Sequence, residues 1–417
     1  MNPKIRAMLG LLLCTASAFY ARAEDLYVPG QFATIQAAIA QARLDRLSPG
    51  LSPNETIVIH VAAGLYAETL PLILDVPNLR LQGATSLNID VDGLPTSSAT
   101  STETRIIAKP PLTGVQTILL LGPTSKDLTG IGVTIQGLVL DAGNGGNASD
   151  GRDIIIDRVS GFLVRGNVLT GSAALAVDAR ASSGTIEANL ITGVGCGSCI
   201  GAGNRQSPAF YTFQKNRLVG NSQGGVLVAG SNYDGVVHPA LLPVAPGTTF
   251  DSVTAVITEN DLSDNNQEPK SSFGIRLMAI IPPIAAAQST ANITVNVISN
   301  KITNNSVGVT IDAGFPFRAD PRLWTAGFRA TFAGNTISAS KNTPALISFT
   351  RNTAAEFPQQ LKTYKYLQDS IITITDPTAD LSGYWFDHPA TDPIDGRTLN
   401  NSLKVNGSTI PNGRNFK

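Results

Sequence analysis

Two aspartates in this chain directly follow pairs of alternating apolar residues. Asp157 comes after Ile156, and Asp178 comes after Val177. If the two segments are stacked strands, their carboxyl groups are neighbours about 4.8 Å apart on one exposed face. Such a pair must share a proton, meet a base or bind a cation, and both acid–base catalysis and Ca²⁺ binding use carboxylates in this way. Asp157 and Asp178 are therefore candidate catalytic residues and candidate ligands of Ca²⁺, the one cofactor that the chain suggests.

Basic and aromatic residues extend this candidate site. Arg276 falls on the same predicted face and completes the candidate catalytic set. The candidate substrate-binding residues lie at nearby strand ends or in long loops, and they are Arg158, Arg180, Arg205, Tyr233, His238 and Trp324. The aromatic side chains could stack on sugar rings. The alternative is that the aspartates belong to ordinary turns, the arginines neutralise them on a solvated face, and the aromatic residues pack their own loops.

A repeat of asparagine predicts the elements that would position these residues. Each Asn has Leu or Ile two positions later and an apolar residue three positions earlier, at Asn167, Asn189, Asn216, Asn260, Asn300 and Asn335. This pattern describes two strands meeting at a sharp corner, because Asn tolerates the left-handed conformation. The two shortest spacings, 22 and 27 residues, match one coil of a solenoid built from three short strands. Stacked Asn amides could form a hydrogen-bonded ladder, and stacked coils bury a continuous core.

The longer spacings and the first residues complete this interpretation. Spacings of 44, 40 and 35 residues leave room for loops at 231–250, 279–290 and 313–327. These loops follow the third strand of their coils and should form the wall of a groove.

Near the start, Thr34 is a plausible N-cap, and the spacing of Ile35, Ile39 and Ala42 predicts an amphipathic helix over 35–47. Such a helix would cover the open end of the solenoid.

The segments 32–39 and 64–68, together with the Asn coils, resemble right-handed parallel β-helix proteins of the pectin-lyase-like superfamily over residues 30–350. The resemblance implies an all-β, right-handed parallel β-helix with an N-terminal capping α-helix. It does not specify a function, because that superfamily includes lyases, hydrolases, esterases, epimerases, tailspikes and non-catalytic proteins. The motifs of the esterases and polygalacturonases are absent. The stretch Trp385–His388 looks like a pectate-lyase motif but lies too near the end of the chain.

Two functional hypotheses follow. A face of carboxylates and arginines beside a groove resembles the lyase arrangement, in which calcium neutralises a uronate and a base takes the C5 proton. The first hypothesis is thus a carbohydrate-associated β-helix that acts on or binds an acidic polysaccharide, in the manner of a lyase or epimerase. The alternative is a non-catalytic binding or structural β-helix at the cell surface or in the periplasm. Metal delivery is disfavoured by the three His and three Met residues.

Composition and the first segment indicate the compartment. Lys and Arg number 30 and Asp and Glu 31, which argues against nucleic acid as a partner. Residues 1–23 have a basic start, a short apolar run and Ala21-Arg22-Ala23, which is typical of a cleaved secretory signal. We expect a secreted or periplasmic protein without a membrane span, a β-helix domain over 24–375 and an irregular tail over 376–417. In an oxidising compartment, Cys196 and Cys199 would form a small disulfide. The oligomeric state is not readable from the chain.

Overall fold

The computed structural model describes part of the 417-residue chain. The described residues are 24–109, 117–121, 130–143, 151–201, 209–230, 252–265, 272–278, 289–313, 324–338, 347–351, 371–376, 381–385, 402–411 and 414–416. Their main feature is a stack of parallel strands in three long sheets, so the predicted parallel β-helix is confirmed. None of the described helices is long and apolar enough to cross a membrane. The predicted signal segment, 1–23, lies outside the described residues.

Sheet 1 has 14 strands and sheet 2 has six. The strands of sheet 1 are Glu24–Val28, Ile57–Val61, Leu79–Gly83, Gly130–Ile131, Thr134–Gln136, Val159–Arg165, Ser183–Glu187, Ala209–Gln214, Val253–Thr258, Ser289–Ile298, Trp324–Ala333, Ile371–Ile374, Ser402–Val405 and Ser408–Ile410. Those of sheet 2 are Gly64–Glu68, Thr104–Ala108, Val139–Asp141, Val168–Thr170, Leu190–Thr192 and Arg217–Val219. A short pair, Lys301–Ile302 and Thr336–Ile337, continues sheet 2 through bridges at Asp261.

Sheet 3 has 11 strands and carries the candidate site. Its strands are Leu72–Leu74, Thr117–Leu121, Arg152–Asp157, Leu175–Arg180, Cys196–Gly201, Gly224–Ala229, Phe273–Met278, Val307–Ala313, Ile347–Arg351, Leu381–Trp385 and Arg414–Phe416. Outside the coils, Leu87–Ile89 and Pro95–Ser98 form an antiparallel hairpin, and Thr100–Thr102 is a 3₁₀ turn. Along a sheet 3 strand, inward residues such as Ile154 and Ile156 are fully buried, so the outward residues between them are left to carry chemistry.

The predicted asparagine ladder runs along the corner between sheets 1 and 2. The Nδ2 group of Asn189 donates to Oδ1 of Asn216 (3.0 Å) and to the Val164 carbonyl (2.9 Å), and the other five repeat the arrangement. All six asparagines are buried. The ladder ends on the buried Asp376, whose carboxylate accepts both the backbone and the side-chain N–H groups of Asn335.

The left-handed residue of this corner is not the asparagine itself, as the sequence argument assumed. It is the residue directly before each Asn, for example Ala188 at φ 52° and Lys215 at φ 53°. The asparagine side chain turns inward instead, where it satisfies two buried backbone groups of the preceding coil.

A second, shorter ladder follows at the corner between sheets 2 and 3. Asn221 donates to Asn265 (2.9 Å), and the backbone N–H of Asn265 donates to Asn305 (3.1 Å). All three are buried. This ladder was missed, although its spacings of 44 and 40 residues repeat those of the first ladder and could have revealed it.

The two ends of the solenoid differ in structure. The helix Ile35–Arg46 confirms the predicted cap, with Thr34 as N-cap and Glu68 accepting a hydrogen bond from the backbone of Ile35 (2.8 Å). At the C-terminal end, the tail over 376–417, which we expected to be irregular, contains strands in its described residues. Its strands continue sheets 1 and 3, and the last two, Ser408–Ile410 and Arg414–Phe416, are antiparallel. Short strands after Pro- and Gly-rich stretches carry little periodicity, which is why the pattern did not show them.

Candidate functional site

The outward face of sheet 3 places the two candidate aspartates in different columns. Asp157 pairs in register with Arg180, and Asp178 pairs with Ile155. The predicted register, which placed the two carboxylates side by side, is therefore wrong by two residues. The error came from aligning Ile156 with Val177, whereas the structure aligns Ile154 with Val177. A shift of two keeps every side chain on its own face, so the apolar pattern alone could not detect it.

Asp178 is a buried carboxylate between two arginines, not an exposed one. Its side chain has no exposed surface, and those of Arg152 and Arg180 are 5% and 7% exposed. Oδ2 accepts from Arg152 Nε (2.8 Å), and Arg180 donates through Nε to Oδ1 (2.7 Å) and through Nη2 to Oδ2 (2.5 Å). Burial raises the pKa of Asp178, but Arg180 and Arg152 lower that pKa more, so the carboxyl stays ionised at neutral pH.

Asp157 is the accessible carboxyl of the group. Its side chain is 17% exposed, and Oδ2 accepts from the Nε (2.9 Å) and Nη2 (2.8 Å) groups of Arg158. Burial raises the pKa of Asp157 above its ordinary value although Arg158 and Arg180 oppose the change. Arg158 follows the strand in the left-handed conformation (φ 56°) and is 21% exposed. These four residues, Asp157, Arg158, Asp178 and Arg180, together with Arg152, are called the Arg–Asp cluster below.

The Arg–Asp cluster does not fit the Ca²⁺ site that the sequence suggested. Both oxygens of Asp178 already accept hydrogen bonds from guanidinium groups. A calcium ion needs six to eight oxygen ligands and would have to displace those cations. In the part of the chain that the structure describes, no three His, Cys, Asp or Glu side chains form a group suited to a metal.

Arg276 lies in the same column as Asp178 but does not reach it. The register runs from Asp178 through Cys199 and Leu227 to Arg276. Three strand spacings separate the two residues by about 14 Å along the solenoid axis. The Arg276 guanidinium lies over the ring of Phe273, 5.9 Å from its centre. Arg276 is thus a separate position on the same face.

The predicted disulfide between Cys196 and Cys199 is wrong, since both are free, buried thiols. They lie three residues apart on the strand Cys196–Gly201, and an extended strand separates their Cα atoms by about 10 Å, beyond the reach of a disulfide. Burial raises the pKa of each thiol to about 12. Neither is a nucleophile at neutral pH.

Several candidate positions lie outside the described residues. Arg205, Tyr233 and His238 are among them, as are most of the predicted groove loops. Trp324 begins the strand Trp324–Ala333 of sheet 1, in register with Ser289. Parts of two predicted loops, at 289–290 and 324–327, are thus strand.

Arg152 lies at a strand end near the candidate aspartates, as Arg158 and Arg180 do, and in the structure its Nε group donates to Asp178. Alternation with the inward Ile154 and Ile156 would place its side chain inside the solenoid, so no sequence signal identified this contact.

Comparisons with known proteins give only a general likeness of fold. No protein-family model matches the chain, and no curated protein sequence does. Among solved structures, the Geobacillus virus E2 ORF18 protein has a TM-score of 0.44 at 12% identity, over 83% of this chain and 63% of that one. A DFA-IIIase from Arthrobacter chlorophenolicus A6 in complex with GF2 has a TM-score of 0.42 at 11% identity, over 86% of this chain and 93% of that one. A pectin methylesterase in complex with a hexasaccharide has a TM-score of 0.35 at 13% identity, over 79% of this chain and 92% of that one. The site assignment therefore depends on the chain's own geometry.

Proposed function

We propose that this chain is an exported, carbohydrate-associated member of the pectin-lyase-like superfamily that binds an acidic polysaccharide along the outward face of sheet 3. In this proposal Asp157 transfers a proton and Arg158 contacts a sugar carboxylate. The observation that carries it is the position of Asp157, a partly exposed carboxyl beside Arg158 and above the buried pair of Asp178 and Arg180. An acidic polymer is the natural ligand of guanidinium groups, which match carboxylates in shape and charge.

The chemistry that suits this arrangement is proton removal next to a carboxylate. Asp157 would accept the C5 proton of a uronate, and the raised pKa of Asp157 makes it a better acceptor than an ordinary aspartate. In elimination, the C5–H electrons form the C4–C5 double bond while the bond from C4 to its oxygen breaks, and the departing oxygen takes a proton from water. In epimerisation, water returns a proton to the other face of C5. The guanidinium of Arg158 would stabilise the negative charge that develops on the carboxylate.

Asp178 takes a different role from the one first expected. Buried and bound by Arg152 and Arg180, it cannot touch a substrate. It is a positioning residue, because it fixes the Arg180 guanidinium next to Asp157 in the register. Arg276 lies four strands beyond Asp157, about 19 Å along the axis, and would contact a second carboxylate of the same polymer.

The test compares Asp157→Asn with Asp141→Asn. Asp141 is a matched control, because it is also partly exposed and bound by an arginine, Arg105 at 2.9 Å, but lies on sheet 2. The purified chain is incubated with a panel of polyuronates, and the ultraviolet absorbance of unsaturated products and C5 exchange with deuterated water are recorded. We expect Asp157→Asn to abolish turnover and to keep polymer binding, and Asp141→Asn to change neither. Full turnover by Asp157→Asn would refute the assignment.

A non-catalytic binding protein is the second candidate. The observation that favours it is the burial of Asp178, Arg152 and Arg180, which suits a structural ion network as well as a site. It predicts that polyuronates bind, that Arg158→Ala weakens binding, and that neither unsaturated product nor exchange is detected. Export is tested separately by sequencing the N-terminus of the protein recovered outside the cytoplasm, with cleavage expected after Ala23.

A further inference from the structure

A second group of polar and aromatic side chains lies at the N-terminal end of the solenoid, on the outward face of sheet 1. Tyr27 and His60 stand opposite each other in register on the first two strands. Their rings stack with centres 5.0 Å apart and planes within 13° of parallel. His60 Nε2 donates to Oδ1 of Asp25 at 2.9 Å. Asp25 and Tyr27 share a face because they are two residues apart on one strand.

A recess of about 570 Å³ adjoins this group. It lies where the first three strands of sheet 1 end, and its walls include Tyr27, Pro29, His60, Ala62, Gln82 and Ala84. The size falls within the range of small-molecule sites. Gln82 follows His60 in the register, so its amide is the next group in the column after the two rings.

The chemistry of the recess differs from that of the Arg–Asp cluster. None of the residues that line it is Lys, Arg, Asp or Glu. Tyr27 is 46% exposed, so its ring is available to a ligand. Aromatic faces carry partial negative charge and attract the weakly positive C–H groups of a sugar ring. The Gln82 amide and the His60 ring offer donors and acceptors for uncharged hydroxyl groups.

From these features we infer that the recess at Tyr27, His60 and Gln82 binds a neutral sugar ring of a carbohydrate chain. The ring packs against the aromatic side chains and over the apolar floor formed by Pro29, Ala62 and Ala84. Asp25 holds the His60 ring in place through its hydrogen bond and is a positioning residue. The inference does not depend on the proposed function, because the two sites lie on different sheets and would bind ligands of different charge.

The test uses the full chain and ligand-observed saturation-transfer NMR. The probes are cellopentaose, xylopentaose, mannopentaose and maltopentaose, with pentagalacturonate as the charged counterpart. The variant is Tyr27→Ala. Its matched control is Phe210→Ala, since Phe210 is also an exposed aromatic residue (54%) on sheet 1 but lies away from the recess. Circular dichroism confirms that each variant is folded.

We expect at least one neutral pentasaccharide to bind, Tyr27→Ala to weaken that binding roughly tenfold, and Phe210→Ala to leave it unchanged. Asp157→Asn should also leave it unchanged, which separates this site from the Arg–Asp cluster. The inference is overturned if no neutral saccharide binds, or if Tyr27→Ala binds as the wild type does. It is equally overturned if Tyr27→Ala affects only pentagalacturonate, because the ligand class would then be wrong.

Discussion

Replacing Asn216 by alanine should test the asparagine ladder most directly, because this residue lies in its middle. Its Oδ1 accepts from the backbone N–H and the side-chain Nδ2 of Asn189, both at 3.0 Å. Its Nδ2 donates to the Ile186 carbonyl (2.9 Å) and to Oδ1 of Asn260 (3.1 Å). Alanine removes all four hydrogen bonds while keeping the backbone.

The expected loss of stability follows from the four lost hydrogen bonds and from the buried donor that is left without a partner. Each lost hydrogen bond is worth about 1 kcal/mol net, and a buried donor without a partner costs about 1–3 kcal/mol more. The backbone N–H of Asn189 becomes such a donor, because its bond to Asn216 is buried. The free energy of unfolding should therefore fall by about 5–7 kcal/mol.

Urea denaturation followed by circular dichroism measures this loss. Asn296→Ala is the matched control, since Asn296 is exposed on Ser289–Ile298, two strands further along sheet 1, and should change stability by less than about 0.5 kcal/mol. A loss below about 1 kcal/mol for Asn216→Ala, or one equal to that of the control, would refute the view that the ladder stabilises the corner.

Two further predictions concern the buried groups of sheet 3. Asp178→Asn should cost about 3–5 kcal/mol in urea denaturation, because it leaves Arg152 and Arg180 buried without their carboxylate, whereas the exposed Asp92→Asn should cost almost nothing. Since the folded pKa of Asp178 is lowered, its contribution is present above the unfolded pKa of about 3.9 and is lost as the pH falls through the folded value, so Asp178→Asn should flatten the acid limb of the stability curve. For the cysteines, a thiol reagent at neutral pH should label neither Cys196 nor Cys199 in the folded chain and both after denaturation without reductant. Absence of labelling after denaturation would show a disulfide instead.

Much of the fold could be predicted because its signals are local and repeated. Each Asn of the first ladder lies between apolar residues at fixed distances, so a single chain shows six copies of one corner. The cap helix carries its own N-cap signal in Thr34. The second ladder has fewer copies, and Ser172 and Val194 stand at its position in two coils, which weakens the repeat.

The site was harder to predict because it depends on register and burial. The shift that places Asp157 opposite Arg180 keeps the alternation of apolar residues intact. The burial of Asp178 depends on the side chains and loops around it, which no strand pattern shows. The group formed by Tyr27, His60 and Asp25 joins residues from two strands, and only the pairing of those strands brings them together.

The energetics of sheet 3 indicate which of its features need a functional explanation. Ile155 precedes Asp178 in the outward column, and Leu227 follows two strands later, so the fold accepts apolar side chains at these positions. A buried ion group seldom stabilises a protein more than apolar residues of similar volume would. The Asn ladder, in contrast, satisfies backbone groups that every coil exposes to its interior. The ladder is therefore explained by folding alone, whereas the charges of the Arg–Asp cluster are not, and the search for activity should begin at Asp157.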